Sequence, residues 1–265
     1  MQLPIYQADA FTSTLFGGNP AALVPLQQWL ADELLQSIAT ENNLAETAFT
    51  VPAAGGFELR WFTPAAEVPL CGHATLASAH LLWTELGCQA VTIRFFTRSG
   101  ELRVGRAGDL IEMDFPAQPP EEIPLGPEYQ HALGAAPLRA LAREGNRDMM
   151  LLEFADAAQV AELQPDLRAV AALPYRGVIC TAAGGSYGCD FVSRFFAPAI
   201  GIDEDPVTGS AHTLLTPFWA KKLDRSRLSA RQISARGGEL ECELAGDRVL
   251  MRGNAVTYLR GQISL

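Results

Sequence analysis

The sequence predicts an α+β protein of two similar domains, in each of which a mostly antiparallel sheet wraps around one central helix. Each half of the chain has many short strand patterns and only one long helix pattern of small and apolar residues. A helix that is apolar on every side has to be covered on every side. A repeat within the chain indicates that both halves share this arrangement.

Three segments of the first half recur in the second half. Arg60 and Phe62 recur 134 positions later, and Gly72 recurs 137 positions later. Residues 100–113 recur 138 positions later without a gap, and seven of the fourteen aligned residues are identical. Composition alone does not supply such agreement. The chain is therefore predicted to be a duplication of a unit of about 130 residues, a length that suits one domain.

The elements of the first half follow from apolar periodicity and turn residues. Alternating apolar residues predict strands, and apolar residues at helical spacing predict helices. The predicted strands cover residues 5–11, 21–24, 44–51, 57–63, 91–98, 101–105 and 110–115, and the predicted helices cover residues 29–39 and 74–83. The second of these helices is the predicted central helix of the first domain.

The proline-rich segment 116–127 is predicted to link two domains, at 1–116 and 117–254. The same patterns apply to the second half of the chain. Its predicted strands cover residues 148–154, 176–181, 190–196, 232–235, 239–244, 248–253 and 255–259, and its predicted helices cover residues 127–133, 157–172 and 209–223. The helix at 209–223 is the predicted central helix of this domain.

Composition and charge argue against several classes of function. The formal charge of −10 and the scattered Lys and Arg residues argue against a nucleic-acid partner. No apolar run approaches the length of a membrane span, and the first residues lack the basic start of a signal peptide, so we expect a cytoplasmic protein with no membrane partner. The five cysteines show no C-x-x-C spacing, which predicts neither a disulfide framework nor a structural zinc site.

Glu46 is the first candidate for chemistry. In its predicted strand it shares a face with Leu44 and Ala48. Its carboxyl is therefore expected to be partly desolvated, a condition that favours proton transfer near neutral pH. A solvated glutamate at the start of a strand is the alternative, and the pattern taken alone favours that alternative.

His73 lies one residue into the start of the first central helix, where it could hydrogen-bond to or protonate a polar substrate. A structural histidine is the alternative. His73 and His80 are seven residues apart on one helical face, but the sequence places too few further ligands nearby for a metal site. No metal is predicted.

Asp205 lies in an acidic segment before the second central helix. Because Pro206 follows it, Asp205 matches an N-cap residue before a proline at the first helical position, which is a structural role. The segment contains more acids than a cap requires, so Asp205 could instead accept a hydrogen bond from a substrate amine or hydroxyl. Thr208 offers a hydroxyl nearby.

Both helix starts are candidate anion sites, because free backbone N–H groups and the helix dipole attract negative charge there. The N–H groups at Gly72 and His73 could hold a substrate carboxylate, and so could those at Gly209 and Ser210. The glycines permit close approach of a ligand to the backbone. These features predict a small substrate that carries a carboxylate.

Four motifs in this order resemble the signatures of the PhzF-like family, named for the phenazine-biosynthesis isomerase. They are GGNPAALV at 17–24, NLAET at 43–47, FTP…PLCGHAT at 62–75 and EDPVTGSA at 204–211. The resemblance runs along the whole chain. It implies the diaminopimelate-epimerase fold, with an active site in the cleft between two pseudo-symmetric halves. It also implies a homodimer, no cofactor, and a last strand at 255–265 that returns to the first domain.

The resemblance also implies roles for single residues. In the family, the glutamate of the second motif moves a proton between carbons of a cyclohexadiene amino acid, which makes Glu46 the expected acid/base here. The groups expected to hold or assist the substrate are His73, Asp205 and Ser210, with Gly72 and Gly209 framing the anion site. Thr208, whose hydroxyl is noted above, is a further substrate-binding candidate from the sequence itself.

Racemases and epimerases of the wider superfamily use two thiols on opposite faces of the substrate carbon. Cys71 occupies the first thiol position, and Val207 is aligned with the second. The repeat places Gly177 opposite Glu46, at an offset of 131. The second half thus lacks a matching thiol and a matching acid, which favours isomerisation by a single carboxylate.

The leading hypothesis is a cofactor-free isomerase of a small carboxylate-bearing amino or hydroxy compound. Two alternatives stay open. One is an epimerase that pairs Cys71 with Glu46 or Asp205, and the other is a non-catalytic protein that binds a small ligand without turnover.

Overall fold

The computed structural model describes all residues from Met1 to Leu265, which form two compact units. The first unit comprises Met1–Asp114 and Arg252–Leu265, and the second comprises Phe115–Met251. Both units mix helices with a larger number of strands, so the predicted α+β class is confirmed. No helix is long and apolar enough to cross a membrane.

The first 116 residues contain two helices among eight strands. The strands are β1 (Gln2–Ala10), β2 (Asn19–Pro25), β3 (Glu46–Ala53), β4 (Gly56–Phe62), β5 (Glu67–Val68), β6 (Thr92–Thr97), β7 (Gly100–Ala107) and β8 (Leu110–Pro116), and the helices are α1 (Asp32–Asn42) and α2 (Gly72–Thr84). Strands β1, β2, β3, β4, β6, β7 and β8 pair in that order. The pairs β2/β3 and β4/β6 are parallel, and the others are antiparallel.

Helix α2 is the core of the first unit. Ten of its thirteen residues are buried, and it packs against β1, β2 and β3. The buried hydroxyls of Thr75 and Ser78 donate to the carbonyls of Cys71 and Ala74, at 2.5 and 2.7 Å. These bonds satisfy the only polar atoms of those two side chains, so the helix can be buried on nearly all sides.

The rest of the chain contains four helices and nine strands. The strands are β9 (Glu121–Ile123), β10 (Arg139–Ala142), β11 (Met149–Glu153), β12 (Gly177–Ala183), β13 (Phe191–Phe196), β14 (Arg227–Gln232), β15 (Gly238–Ala245), β16 (Arg248–Gly253) and β17 (Ala255–Ser264). The helices are α3 (Pro127–Leu133), α4 (Ala157–Ala161), α5 (Leu167–Ala171) and α6 (Gly209–Leu223). Strand β17 pairs antiparallel with β1 in the first unit.

The second unit repeats the pairing pattern of the first. The pairs β11/β12 and β13/β14 are parallel, and β12/β13 is antiparallel. Register is repeated too, because Thr47 faces Phe62 between β3 and β4 and Val178 faces Phe196 between β12 and β13. Helix α6 takes the place of α2, and eleven of its fifteen residues are buried.

The two units share an arginine–glutamate pair as well. Arg60 binds Glu67 through two nitrogens, both at 2.8 Å. Arg194 binds Glu204 in the same way, at 2.8 and 2.9 Å. The guanidinium of Arg60 lies 5.1 Å from the Phe62 ring centre, and that of Arg194 lies 4.8 Å from the corresponding ring. The duplication therefore extends from sequence to contacts.

Two predicted elements differ from the structure in continuity or position, and three strands lie where none was predicted. The helix predicted at 157–172 is two short helices, because Pro165 interrupts it and Asp166 caps a new start by accepting from the N–H groups of Arg168 and Ala169. The strand predicted at 232–235 lies earlier, at β14, because the chain turns between Ser234 and Gly237. Strands β5, β9 and β10 were not predicted, and β9 lies within the segment 116–127 that was predicted as a linker.

Candidate active site

Glu46 and His73 meet inside the first unit. Glu46 is the first residue of β3 and is 9% exposed, and His73 is the second residue of α2 and is 5% exposed. Glu46 Oε2 lies 3.0 Å from His73 Nε2, but the two groups are not aligned as a hydrogen bond and both atoms are buried. The alternative of a solvated glutamate is therefore wrong. Buried polar atoms left poorly paired are costly, which points to a functional site.

The other edge of the imidazole faces two further side chains. Asn19 Nδ2 lies 3.2 Å from His73 Nδ1, and Cys71 Sγ lies 3.6 Å from the same atom. Asn19 begins β2 and is fully buried, and Cys71 is the N-cap residue of α2. Glu46 thus approaches one ring nitrogen of His73, and Asn19 and Cys71 approach the other.

The charge states follow from burial and from these neighbours. Burial raises the pKa of the Cys71 thiol to about 11, and the negative charge of Glu46 adds to the rise. Burial opposes a charge on His73, but the neighbouring Cys71 and Glu46 outweigh this effect and hold the pKa of His73 well above its ordinary value. Because the thiol is neutral at neutral pH, the Glu46 carboxylate is the charge that favours an imidazolium there.

The same three side chains offer possible metal ligands. One ligand atom from each of Glu46, Cys71 and His73 lies within 4.8 Å of the other two, and thiolate, imidazole and carboxylate all suit zinc. However, Cys71 contacts Nδ1 and Glu46 contacts Nε2. The two side chains therefore approach different nitrogens of the ring, and one ion can bind only one of these nitrogens. The expected lack of a metal stays a prediction.

The start of α2 adds a positive backbone field to this cluster. Cys71 makes no side-chain cap, and the first N–H groups of a helix have no partner within the helix. Gly72 and His73 contribute two of these groups, and the helix dipole adds partial positive charge. The first unit therefore combines a carboxyl, an imidazole and an anion-attracting helix start.

The start of α6 carries different chemistry. Thr208 is its N-cap residue and Gly209 is its first helical residue. The Thr208 hydroxyl donates to Asp205 Oδ2 at 2.5 Å. Asp205 is therefore not the N-cap, and the structural role predicted for it is wrong. Ser210 follows at the exposed surface of this helix start.

The helix starts also correct the alignment of the second thiol position. Cys71 and Thr208 are both N-cap residues, of α2 and α6. The counterpart of Cys71 is therefore Thr208, one residue after Val207, because the loop before α6 is three residues longer than the loop before α2. The inference that this position holds no thiol is unaffected.

The counterpart of Glu46 is Gly177, at the start of β12. A Cβ atom at Gly177 would lie 2.3 Å from Cζ of Phe195. An aromatic ring thus fills the place where the second unit would need an acid.

The structure brings together Glu46, Gly72 and His73 in the first unit, and Asp205, Thr208, Gly209 and Ser210 in the second unit. Asn19 was missed as a functional candidate, although it is part of the GGNP motif. An asparagine between glycines and a proline reads as a turn residue in sequence. Its contact with His73 depends on tertiary structure.

Comparisons with known proteins agree with the motifs. A sequence model of the family described as "Phenazine biosynthesis-like protein" matches residues 8–261. An uncharacterized isomerase of Pseudomonas aeruginosa is 51% identical over the full length of both chains. A crystal structure of a phenazine biosynthesis protein of the PhzF family from Enterococcus faecalis is 45% identical and matches with a TM-score of 0.96, covering 100% of both chains.

A more distant structure shares the fold alone. A probable proline racemase from Agrobacterium radiobacter K84 matches with a TM-score of 0.65 at 9% identity, over 99% of this chain and 93% of that one. The epimerase-like fold predicted from the motifs is therefore confirmed.

Proposed function

This chain belongs to the phenazine biosynthesis-like protein family and is an isomerase, and we propose that it moves a proton between carbons of a small carboxylate-bearing amino or hydroxy compound. Glu46 is the acid/base of the proposed reaction. The observation that carries the proposal is the buried contact between Glu46 and His73, at 3.0 Å. A carboxyl and an imidazole in contact, away from water, can hold and release a proton during a reaction.

In this mechanism the Glu46 carboxylate removes a proton from one substrate carbon and returns it to another. His73 is kept charged by the carboxylate beside it and lies in contact with that carboxylate before the transfer. It also offers a proton to a polar substrate group that gains negative charge as the C–H bond breaks. One carboxylate performs both transfers, so no second base is required.

Backbone groups would bind the substrate carboxylate. The N–H groups of Gly72 and His73 at the start of α2 supply donors beside Glu46. In the second unit we assign a substrate-holding role to the start of α6, with Gly209 and Ser210 as backbone donors. Asp205 would accept from a substrate amine or hydroxyl, and Thr208 would orient Asp205.

An epimerase that uses two thiols is disfavoured by this site. The Cys71 thiol is protonated at neutral pH because burial raises its pKa to about 11, and Thr208 stands at the corresponding cap of α6. In this proposal Cys71 contacts His73 as a neutral thiol and transfers no proton. The proposal needs neither a metal nor an organic cofactor.

The proposal is tested by deuterium incorporation. A panel of small cyclic and linear amino- and hydroxycarboxylic acids is incubated with the enzyme in D2O and followed by NMR. We expect one class to gain deuterium with the wild-type chain and none to do so with Glu46→Gln. Glu41→Gln is the matched control, since Glu41 is an exposed glutamate at the end of α1.

Each outcome separates the hypotheses. Exchange that persists in Glu46→Gln overturns the role of Glu46. Inversion at one carbon, lost in Cys71→Ala, would favour the epimerase. A ligand that raises the melting temperature without exchanging any proton would favour a binding protein.

A further inference from the structure

We propose that Gln232 is a positioning residue that sets the geometry of Asp205 and Thr208, and that it thereby controls substrate binding at the start of α6. This inference rests on the substrate-holding role proposed above for that helix start. Gln232 is the last residue of β14 and is 1% exposed. No sequence motif points to it.

Three hydrogen bonds connect the Gln232 amide to one loop. Its Oε1 accepts from the Thr208 backbone N–H at 2.8 Å. Its Nε2 donates to the Asp205 carbonyl at 2.7 Å and to Thr208 Oγ1 at 3.2 Å. The amide therefore connects both ends of the segment from Asp205 to Thr208.

These partners fix the orientation of the amide. A flipped Gln232 would point its oxygen at the Asp205 carbonyl and its NH2 group at the Thr208 N–H, so both backbone contacts would be repulsive. In the observed orientation, Nε2–H donates to Thr208 Oγ1, and the Thr208 hydrogen is directed to Asp205 Oδ2, at 2.5 Å. The result is a chain of hydrogen bonds, all donated in the same direction, that ends on the Asp205 carboxylate. Hydrogen bonds in such a chain strengthen one another.

A comparison with the first unit separates this role from a general folding role. The Ser234 hydroxyl donates to the Pro206 carbonyl at 2.8 Å, and its repeat counterpart Ser99 donates to the Pro69 carbonyl at 2.7 Å. This serine–proline bond is common to both units and therefore belongs to the fold. Thr97 faces Gly100 between β6 and β7, and Gln232 faces Gly238, the repeat of Gly100, between β14 and β15, so Thr97 is the counterpart of Gln232. The Thr97 hydroxyl bonds only within its own turn, to Gly100 and Ser99.

The first unit thus forms the same helix start without an amide at this position. A buried primary amide is costly unless all its bonds are made. In the second unit that amide serves the segment that carries Asp205 and Thr208. The Gln232 amide therefore arranges the polar groups of Asp205 and Thr208, a role that the repeated fold does not require.

Three variants test the inference. Gln232→Met keeps the length of the side chain and removes all three bonds. Gln232→Glu keeps an acceptor for the Thr208 N–H and removes both donors. Ser234→Ala is the matched control, because it removes the bond to the same loop that both units share.

The first readout needs no turnover. Acetate is titrated as a carboxylate probe and followed at the backbone amide resonances of Gly209 and Ser210. Both Gln232 variants are expected to fold and to weaken acetate binding by roughly tenfold, because the loop that leads into the helix start loses its fixed arrangement. Ser234→Ala is expected to stay within about twofold, a change that corresponds to less than half of that free energy.

The second readout uses a substrate identified in D2O. Gln232→Met is expected to raise KM by roughly tenfold with kcat changed by less than about threefold, the pattern of a lost ground-state contact. A merely structural role would lower the folded fraction and leave KM unchanged. An equal effect of Ser234→Ala, unchanged acetate binding in both Gln232 variants, or loss of folding in both, would overturn the inference. Because acetate binding is independent of catalysis, it distinguishes failure here from failure of the role of Glu46.

Discussion

The starts of α2 and α6 have the same scaffold and different chemistry. Both follow a loop tied down by a serine–proline bond. The α2 start places Cys71 and His73 against Glu46, whereas the α6 start places Thr208 against Asp205. The two halves keep the same backbone and the same serine–proline bond, but the residues at the two helix starts differ. A symmetric fold can therefore carry an asymmetric reaction.

The largest loss of stability is expected when the second unit is given a glutamate at Gly177, the position that corresponds to Glu46. Gly177→Glu would place a buried carboxylate where the Phe195 ring already lies, so we expect a loss of about 3 kcal/mol or more in the free energy of unfolding. Gly177→Ala should cost about 1–3 kcal/mol through overpacking alone. Urea denaturation measures both.

Gly105→Ala is the matched control for the crowding at Gly177. Gly105 also lies in a strand, but the nearest atom to its added Cβ would be 3.9 Å away. If Gly105→Ala and Gly177→Ala lowered the free energy of unfolding equally, crowding by Phe195 would not explain why the second unit lacks an acid at Gly177.

The pKa values of the two buried histidines are shifted in opposite directions, so the two are expected to affect stability in opposite ways as the pH changes. Burial in the second unit lowers the pKa of His212 to about 4, against a bond to the Thr208 carbonyl that raises it. The unfolded chain then binds a proton between about pH 6.5 and 4 that the folded chain does not, so stability is lost as the pH falls through this window. The loss attributable to His212 is on the order of 3 kcal/mol, at about 1.4 kcal/mol per pKa unit.

Urea denaturation of wild type and His212→Gln across this pH range checks that slope. The variant should show a flatter dependence, whatever its absolute stability. His73 has the opposite sign, since its pKa is raised: its contribution is fully present below about pH 6.5 and is lost as the pH rises through its folded pKa. NMR of the ring nitrogens at neutral pH should show His73 charged and His212 neutral, and the reverse would contradict the assignment.

A smaller difference is expected between the two arginine–glutamate pairs. Arg194 donates to the Leu163 carbonyl at 2.8 Å besides binding Glu204, whereas Arg60 reaches the exposed carboxylate of Asp32. Arg194→Leu should therefore destabilise the chain more than Arg60→Leu, by about 1–2 kcal/mol, because it leaves both the Leu163 carbonyl and the Glu204 carboxylate without this partner. Thermal or urea unfolding of the two variants checks the order, and equal losses would contradict it.

The smallest effect is expected at Cys71. Cys71→Ala removes a neutral thiol at the edge of the imidazole and leaves the Glu46–His73 contact in place. Deuterium exchange should stay within about threefold of wild type, less than 1 kcal/mol in activation free energy. A loss of a hundredfold or more would make the thiol part of the chemistry.

Much of the scaffold could be predicted from sequence. The helices at 127–133 and 209–223 and the strand at 248–253 were predicted with the observed bounds, because apolar patterns and flanking glycine or proline residues define them locally. The interrupted helix at 157–172 shows the limit, since a single proline outweighed the pattern around it.

The site was predictable in part. The motifs identify Glu46 and His73, but their contact depends on β3 and α2 being brought together by the fold. Asn19 and Gln232 carry no local signal, because each reaches its partner across the tertiary structure, over 54 and 24 positions of sequence. The second thiol position was misplaced although the offset of 137 that pairs Gly72 with Gly209 also pairs Cys71 with Thr208, and the helix caps agree with that offset.

The most direct test of the account compares one acid from each unit. Deuterium exchange into a substrate is measured with wild type, Glu46→Gln and Asp205→Asn. We expect Glu46→Gln to lose exchange by about a thousandfold or more, the effect of a lost acid/base group, while Asp205→Asn mainly raises KM and keeps measurable exchange. Exchange retained in Glu46→Gln and abolished in Asp205→Asn would contradict it.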